Sequence, residues 1–271
     1  MPELPEVETT RRSLAERVVG LIIDRVVIRE SRLRWPVSPE IPRTLPNQVI
    51  ERIHRRAKYL LLQTPTGTLL VHLGMSGSLR LTSANEAPEK HDHVDVFFSN
   101  GLCLRYRDPR RFGAILWTNQ NPALHPLLAD LGPEPLTGEF RALALHRISR
   151  NRRIAIKNLI MNSHIVVGIG NIYANEALFL SRIHPARAAG KISLRRYASL
   201  VEAIKEVLRI AIDLGGTTLR DFTDSNGQPG YFAQKLYVYG RNGENCYTCG
   251  TVIRLKVLGQ RSTFYCPKCQ R

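Results

Sequence analysis

Two cysteine pairs constrain this chain more than any other feature. The last 26 of its 271 residues contain CYTC at 246–249 and CPKC at 266–269, with sixteen residues between the pairs. A CxxC knuckle brings two thiolates to one point. Two knuckles at this spacing match a tetrahedral zinc site of Cys246, Cys249, Cys266 and Cys269. Such a site supplies folding energy to a segment too small for its own core. VIRLKVL and STFYC, between the knuckles, read as two short strands, so the tail is predicted to be a β-hairpin zinc finger. Two disulfides are the competing use of the same thiols. No basic-then-apolar leader precedes the chain, so it reads as cytosolic, where disulfides rarely persist. Cys103 stands apart in an apolar run and reads as a buried structural thiol.

Upstream of this module the hydrophobic period changes once, near LGPEPL at 131–136. Before it, residues 5–19 carry Val7, Leu14 and Val18 as one helical stripe. Strand-like runs follow: LIIDRVVI (21–28), KYLLLQT (58–64), TLLVHLG (68–74) and SLRLTS (78–83). HVDVFF and LCLRYR flank Ser99-Asn100-Gly101, a hairpin signal. This half is predicted to be a leading helix on an antiparallel β-sandwich. After LGPEPL, helical patterns cover 138–149, 152–162, 171–181 and 193–214. The third begins after GIGN at 168–171, a glycine turn whose free N–H groups suit a phosphate, or an ordinary turn. Residues 215–234 hold four glycines and a proline and read as a binding loop, a lid or a linker. The predicted class is therefore α+β and multidomain, with boundaries at 1–131, 132–222 and 223–271.

Lys and Arg total 39 against 23 Asp and Glu, a formal net charge of +16. Phosphate neutralisation makes nucleic acid the expected partner, with a ribosome-associated or merely basic surface as the alternative. No run of about 18 apolar residues is present, so no membrane span is expected. A cytoplasmic, nucleoid-associated location follows from these two readings.

Against that charge, the tip reads MPELPEVE. Pro5, Glu6 and Glu8 suit a helix start, where proline costs nothing and acids meet the positive end of the dipole. Pro2 is not explained so simply. With Met1 removed, it carries a secondary amine, and α-amino groups titrate at about 7.7–8.0, well below lysine at about 10.4. Such an amine can attack a sugar C1′ to form an iminium. Glu3 would sit beside it as proton donor and acceptor, with Glu6 one turn on.

Tip and tail together carry a resemblance that spans essentially the whole chain. PELPEVE, HLGMSGSLR (72–80), RDPRRFG (107–113), VVGIGNIYANEALF (166–179), GGTTLRDF (215–222), PGYFAQKLYVYGR (229–241) and the cysteine module resemble the bacterial formamidopyrimidine-DNA glycosylase family. The resemblance implies an N-terminal β-sandwich, a helix–two-turns–helix domain and a zinc finger, with DNA running through the cleft between them. It implies a monomeric, bifunctional enzyme with one structural zinc ion. Such an enzyme excises oxidised purines such as 8-oxoguanine and formamidopyrimidines from duplex DNA, then cuts the strand there, or at abasic sites, by β- and δ-elimination. No obligate protein partner is implied.

Roles carry over by position. Pro2 matches the Schiff-base nucleophile, Glu3 the main acid/base and Glu6 a supporting carboxylate. Lys58 matches the catalytic lysine that contacts DNA near the lesion and assists elimination; its pattern alone also fits a solvated strand lysine. Arg261 matches a finger arginine that clamps phosphate and serves in δ-elimination. His72, Lys157, Asn171 and Tyr239, with His91 and Arg152, match phosphate contacts. Met75, Arg110 and Phe112 match the trio that fills the gap left by a flipped nucleotide. A thioether and an aromatic wedge suit that task, and a guanidinium can hydrogen-bond the orphaned cytosine. By periodicity alone, Met75 and Phe112 would sit in a core. The 215–234 loop matches a lid over the extruded base. Asn162, Ser163 and His164 depart from the family pattern and put local helix-turn contacts in question. Two other activities stay open: an endonuclease VIII-like glycosylase for oxidised pyrimidines, whose usual start is PEGPE, and a non-catalytic protein that binds damaged DNA.

Overall fold

The computed structural model of the chain describes residues 2–217 and 232–271. They form two compact units. The first runs to Ala129 and takes in the stretch that starts at Leu214; the second is Asp130–Asp213 with Phe232–Arg271.

In the first unit, α1 (Leu4–Val18) buries Leu4, Val7, Leu14 and Val18, the stripe expected of an amphipathic helix. It packs on β2 (Arg52–Arg56) and β3 (Tyr59–Thr64). Two antiparallel four-stranded sheets follow, in the orders β1-β6-β7-β5 and β2-β3-β4-β8. Here β1 is Ile23–Ile28, β4 Gly67–His72, β5 Ser78–Ser83, β6 Asp92–Phe98, β7 Leu102–Arg107 and β8 Ala114–Thr118. One apolar core joins α1 to both sheets through Leu60, Leu62, Val71, Val94, Val96, Leu104 and Ile115, among others. The β-sandwich with a leading helix is thus present. Cys103 is fully buried in β7.

Two strands lie outside the sequence reading: Arg52–Arg56, with one apolar residue in five, and Ala114–Thr118. A short α2 (Ile41–Thr44) was equally unmarked. Lys58, expected to open a strand, instead occupies the two-residue turn between β2 and β3 with Ala57, whose φ is +53°. The Asn100-Gly101 hairpin is present as a three-residue loop, with Gly101 at φ +83°.

In the second unit, α3 (Ala142–Ser149) and α5 (Asn171–Leu180) pack on α6 (Leu194–Asp213). Between α4 (Ile156–Ile160) and α5 lie the two turns of a helix–two-turns–helix. The helix expected over 152–162 is only five residues long. The backbone before it bonds elsewhere: Gly190 N–H to Arg152 C=O, Ala189 N–H to Ile154 C=O and Ile156 N–H to Arg187 C=O. Asn162 closes the first turn, since its Oδ1 accepts His164 N–H at 2.9 Å. The His164 ring lies 2.8 Å from the Asp130 carbonyl, and Ser163 C=O accepts Gly132 N–H. The three unusual residues thus build a closed local turn. β9 (Arg254–Leu258) and β10 (Arg261–Tyr265) form the C-terminal hairpin across Gly259 and Gln260, both at positive φ. Among the described residues, no helix is long and apolar enough to cross a membrane.

Candidate functional site

At the start of α1, Pro2, Glu3 and Glu6 are all buried. Glu6 accepts the Glu3 N–H at 2.8 Å through one carboxylate oxygen and the Thr217 N–H at 2.8 Å through the other. One side chain thus ties the tip to the end of the 214–217 stretch. Gly216, at φ +83°, has a reason to be glycine: a Cβ there would lie 3.1 Å from Glu6 Oε1. Most of the expected lid, residues 218–231, lies outside the described residues.

The hairpin that supports α1 carries Lys58 in its turn, and Tyr59 of that hairpin pairs with His72 on β4, with ring centroids 4.6 Å apart. His72 Nδ1 accepts the Gly74 N–H at 3.0 Å, so a neutral ring carries its proton on Nε2. The ring is neutral: burial, with the nearby Lys58 and Arg34 charges, lowers its pKa to about 4. His72 therefore offers a phosphate an N–H donor rather than a charge.

The loops after β4 and β7 carry Met75, Arg110 and Phe112, and one carboxylate joins them. Asp108 is fully buried. Its Oδ1 accepts Ser76 Oγ–H at 2.7 Å and Arg110 N–H at 3.3 Å; its Oδ2 accepts Gly113 N–H at 2.9 Å and Tyr106 O–H at 3.2 Å. The loops also touch at Gly74, where a Cβ would meet the Phe112 carbonyl carbon at 2.5 Å. Held this way, Met75 and Phe112 are 39% and 42% exposed rather than in the core, and the Arg110 guanidinium lies 4.7 Å from the Phe112 ring centre. His91, half-buried at φ +75°, ends the neighbouring loop, and its C=O accepts the Asp108 N–H.

In the second unit the expected residues converge on the hairpin tip. Lys157 is fully buried; its ammonium donates to Ser262 C=O at 2.9 Å and Thr263 Oγ1 at 2.7 Å. Asn171 Nδ2 donates to the same Ser262 carbonyl at 3.0 Å, and Asn171 Oδ1 is buried with no hydrogen-bond partner among the described residues. Arg261, next in the chain, opens β10 and is exposed. Further along α5, Asn175 Oδ1 accepts Phe264 N–H, and the buried Glu176 carboxylate accepts the N–H groups of Tyr237, Val238 and Tyr239. Burial raises the Glu176 pKa, and those three N–H donors oppose the rise. The Tyr239 ring meets Phe264 edge-on at 5.1 Å. Arg152 is exposed, and its backbone bonds to Ser149 and Gly190. Asp108, Asn175 and Glu176 lie inside RDPRRFG and VVGIGNIYANEALF, where a polar residue among its neighbours does not show in sequence what it holds.

The four hairpin cysteines place their sulfurs within 4.8 Å of one another. Cys249 and Cys266 are 3.5 Å apart, and Cys246 and Cys269 3.9 Å. A disulfide needs about 2.05 Å. A tetrahedron with Zn–S of about 2.3 Å has edges of about 3.8 Å, so the donor set fits zinc.

Comparison with known proteins agrees with this geometry. Residues 1–115 match the formamidopyrimidine-DNA glycosylase N-terminal domain, 131–223 its H2TH domain, and 243–271 the zinc finger found in FPG and IleRS. The formamidopyrimidine-DNA glycosylase of Methylococcus capsulatus is 57% identical over 271 residues, all of both chains. A Lactococcus lactis FPG mutant in complex with a Fapy-dG-containing DNA superposes with a TM-score of 0.93 at 33% identity, covering 100% of both chains. The Lactococcus lactis Fpg in complex with an abasic-site DNA gives 0.92 at 34%, covering 99% of each.

Proposed function

The chain belongs to the formamidopyrimidine-DNA glycosylase family, and on that premise we propose that it is a bifunctional glycosylase and AP lyase for oxidised purines in duplex DNA. The observation that carries this reading is the start of α1. There a proline and two buried carboxylates stand together in a chain of net charge +16. With Met1 removed, the Pro2 nitrogen bonds to C1′ of the flipped nucleotide as the bond from C1′ to the base breaks; the amine gives up its proton, and the C1′–O4′ bond then opens, O4′ taking a proton, to leave an iminium. Glu3, adjacent in the chain, moves the protons. Glu6, committed to two N–H groups, holds the tip and the 214–217 stretch in register.

The remaining residues divide by what they offer. Met75, Arg110 and Phe112, exposed on loops that Asp108 fixes, fill the stack after base flipping, with Arg110 reading the orphaned cytosine. His72 and Lys58 take phosphates on the first unit; Arg261 takes one at the hairpin tip, with His91, Arg152 and Tyr239 as further backbone contacts. Lys157 and Asn171 set the Arg261 strand through Ser262. Zinc cross-links the knuckles that carry this hairpin.

The experiment is cleavage of duplexes carrying 8-oxoguanine opposite cytosine, a formamidopyrimidine, or thymine glycol, with end-group analysis of the products. The reading expects faster release of the purine lesions, and a 3′-phosphate end from β,δ-elimination. Preference for thymine glycol would assign the pyrimidine branch; tight binding without cleavage would leave only damage recognition.

A further inference from the structure

Beside the trio lies a cavity of about 550 Å³, lined by Arg32, Leu33, Arg34, Arg111 and Phe112. None of its three arginines has a place in the chemistry above. Arg32 and Arg111 both pair with Glu30, at 2.7 and 3.2 Å, so one carboxylate spaces two of the guanidinium groups. Those arginines keep the Glu30 carboxyl ionised, with its pKa lowered to about 2. Arg111 reaches Glu30 from a left-handed backbone, φ +56°, between Arg110 and Phe112. That conformation is strained for any residue but glycine. Arg34 has no acidic partner among the described residues; its guanidinium lies 4.6 Å from the Trp35 ring centre. Three positive groups and one negative group leave the cavity with a net charge of about +2.

Two neighbours say which anion would enter. Phe112 belongs both to this cavity and to the exposed trio. On the other side, the Arg34 charge adds to the fall that burial gives the His72 pKa and opposes the rise that burial gives that of Tyr59. Through Phe112 the cavity adjoins the surface proposed to meet DNA.

We propose that the Arg32–Arg34–Arg111 cavity is a further DNA phosphate subsite, with Arg34 as its free guanidinium. This deepens the proposed function and rests on that reading of the trio. A planar guanidinium stacked on an aromatic ring is pre-organised to bind a phosphate with two N–H groups. Glu30 acts as the spacer that keeps its two flanking arginines from collapsing onto the site.

The test is fluorescence anisotropy of the full chain on a duplex carrying a tetrahydrofuran abasic analogue, titrated over a range of salt. That duplex binds without Schiff-base formation, so failure of the Pro2 chemistry leaves the measurement readable. Arg34→Ala is expected to weaken binding about three- to tenfold at low salt and to reduce the slope of log affinity against log salt by about 0.9, one phosphate's worth. Arg195→Ala, which removes an exposed charge on α6, serves as the control for net charge and is expected to leave the slope in place. A series of duplexes with a single methylphosphonate then locates the contact. At one position the neutral linkage should weaken wild type and leave Arg34→Ala unchanged. The proposal is overturned if the slope does not move. It is equally overturned if Arg34→Ala loses affinity by the same factor on every neutral linkage, because the arginine then acts only through overall charge.

Discussion

Replacing Asp108 with alanine probes how the recognition loops are held. The carboxylate is fully buried and accepts four hydrogen bonds, of which the Gly113 N–H and the Tyr106 hydroxyl belong to buried groups. A buried donor left without an acceptor costs about 1–3 kcal/mol, which is the cost at the Gly113 N–H; the Tyr106 hydroxyl can still donate to the His72 C=O at 3.4 Å. Ser76 Oγ and Arg110 N–H lie nearer solvent and add little once water replaces the carboxylate. The expected loss is about 2 kcal/mol, at the middle of that range. Trp35 and Trp117 are the only tryptophans and both lie in the first unit, so fluorescence in urea reports the unfolding of that unit. Asp108→Asn keeps one acceptor oxygen but turns an NH2 toward remaining donors, and should lose about 1–3 kcal/mol. The Asn variant also gives a functional readout that stability alone would not move. If Arg110 reads the orphaned cytosine as proposed, loosened loops should narrow the difference in cleavage rate between duplexes with cytosine and with adenine opposite the lesion. A loss under about 1 kcal/mol for Asp108→Ala, with opposite-base preference intact in Asp108→Asn, would refute the hub role.

Other expectations follow from the same geometry. His72 has a folded pKa of about 4 against an ordinary 6.5, so the unfolded chain binds the extra proton. Its stabilising contribution is complete above pH 6.5 and is lost as pH falls toward 4; urea midpoints at pH 7 and pH 5 should therefore differ less in His72→Gln than in wild type. Stripping zinc with a chelator should release one equivalent per chain, detected by a colorimetric zinc dye, and abolish binding to lesion DNA. Cys266→Ser should behave like the stripped protein. Lys157→Met removes both ammonium contacts to β10 and should cost at least about tenfold in DNA affinity, roughly one charge-assisted hydrogen bond. The urea midpoint reported by Trp35 and Trp117 should stay in place, since Lys157 belongs to the second unit.

What the sequence displayed was periodicity and spacing. The α1 stripe, the alternation in Tyr59–Thr64 and the cysteine knuckles each follow from a rule local to a few residues. The short α4 shows where such rules stop. Residues 152–155 have a helical pattern, but their backbone bonds to residues 187–190, far along the chain. Arg52–Arg56 is a strand because β3 pairs with it, in spite of a sequence of mostly charged residues. The same divide runs through the site. Met75 and Phe112 read as core by period and stand exposed because Asp108 turns their loops outward. Lys157, matched to a phosphate contact, is buried with its ammonium on Ser262 C=O and Thr263 Oγ1. Family resemblance names the residues at the tip, but that Glu6 spends both carboxylate oxygens on backbone N–H groups depends on Thr217, far along the chain.

The central claim is that the Pro2 amine is the nucleophile, and reductive trapping tests it most directly. The chain is incubated with an 8-oxoguanine:cytosine duplex and borohydride, and the cross-linked peptide is identified by mass spectrometry. The account predicts a covalent adduct on an N-terminal peptide that has lost Met1, with the modification on Pro2, and loss of most of that adduct in Pro2→Gly. An adduct on Lys58 or any other lysine, or strand cleavage with no trapped adduct, would contradict it.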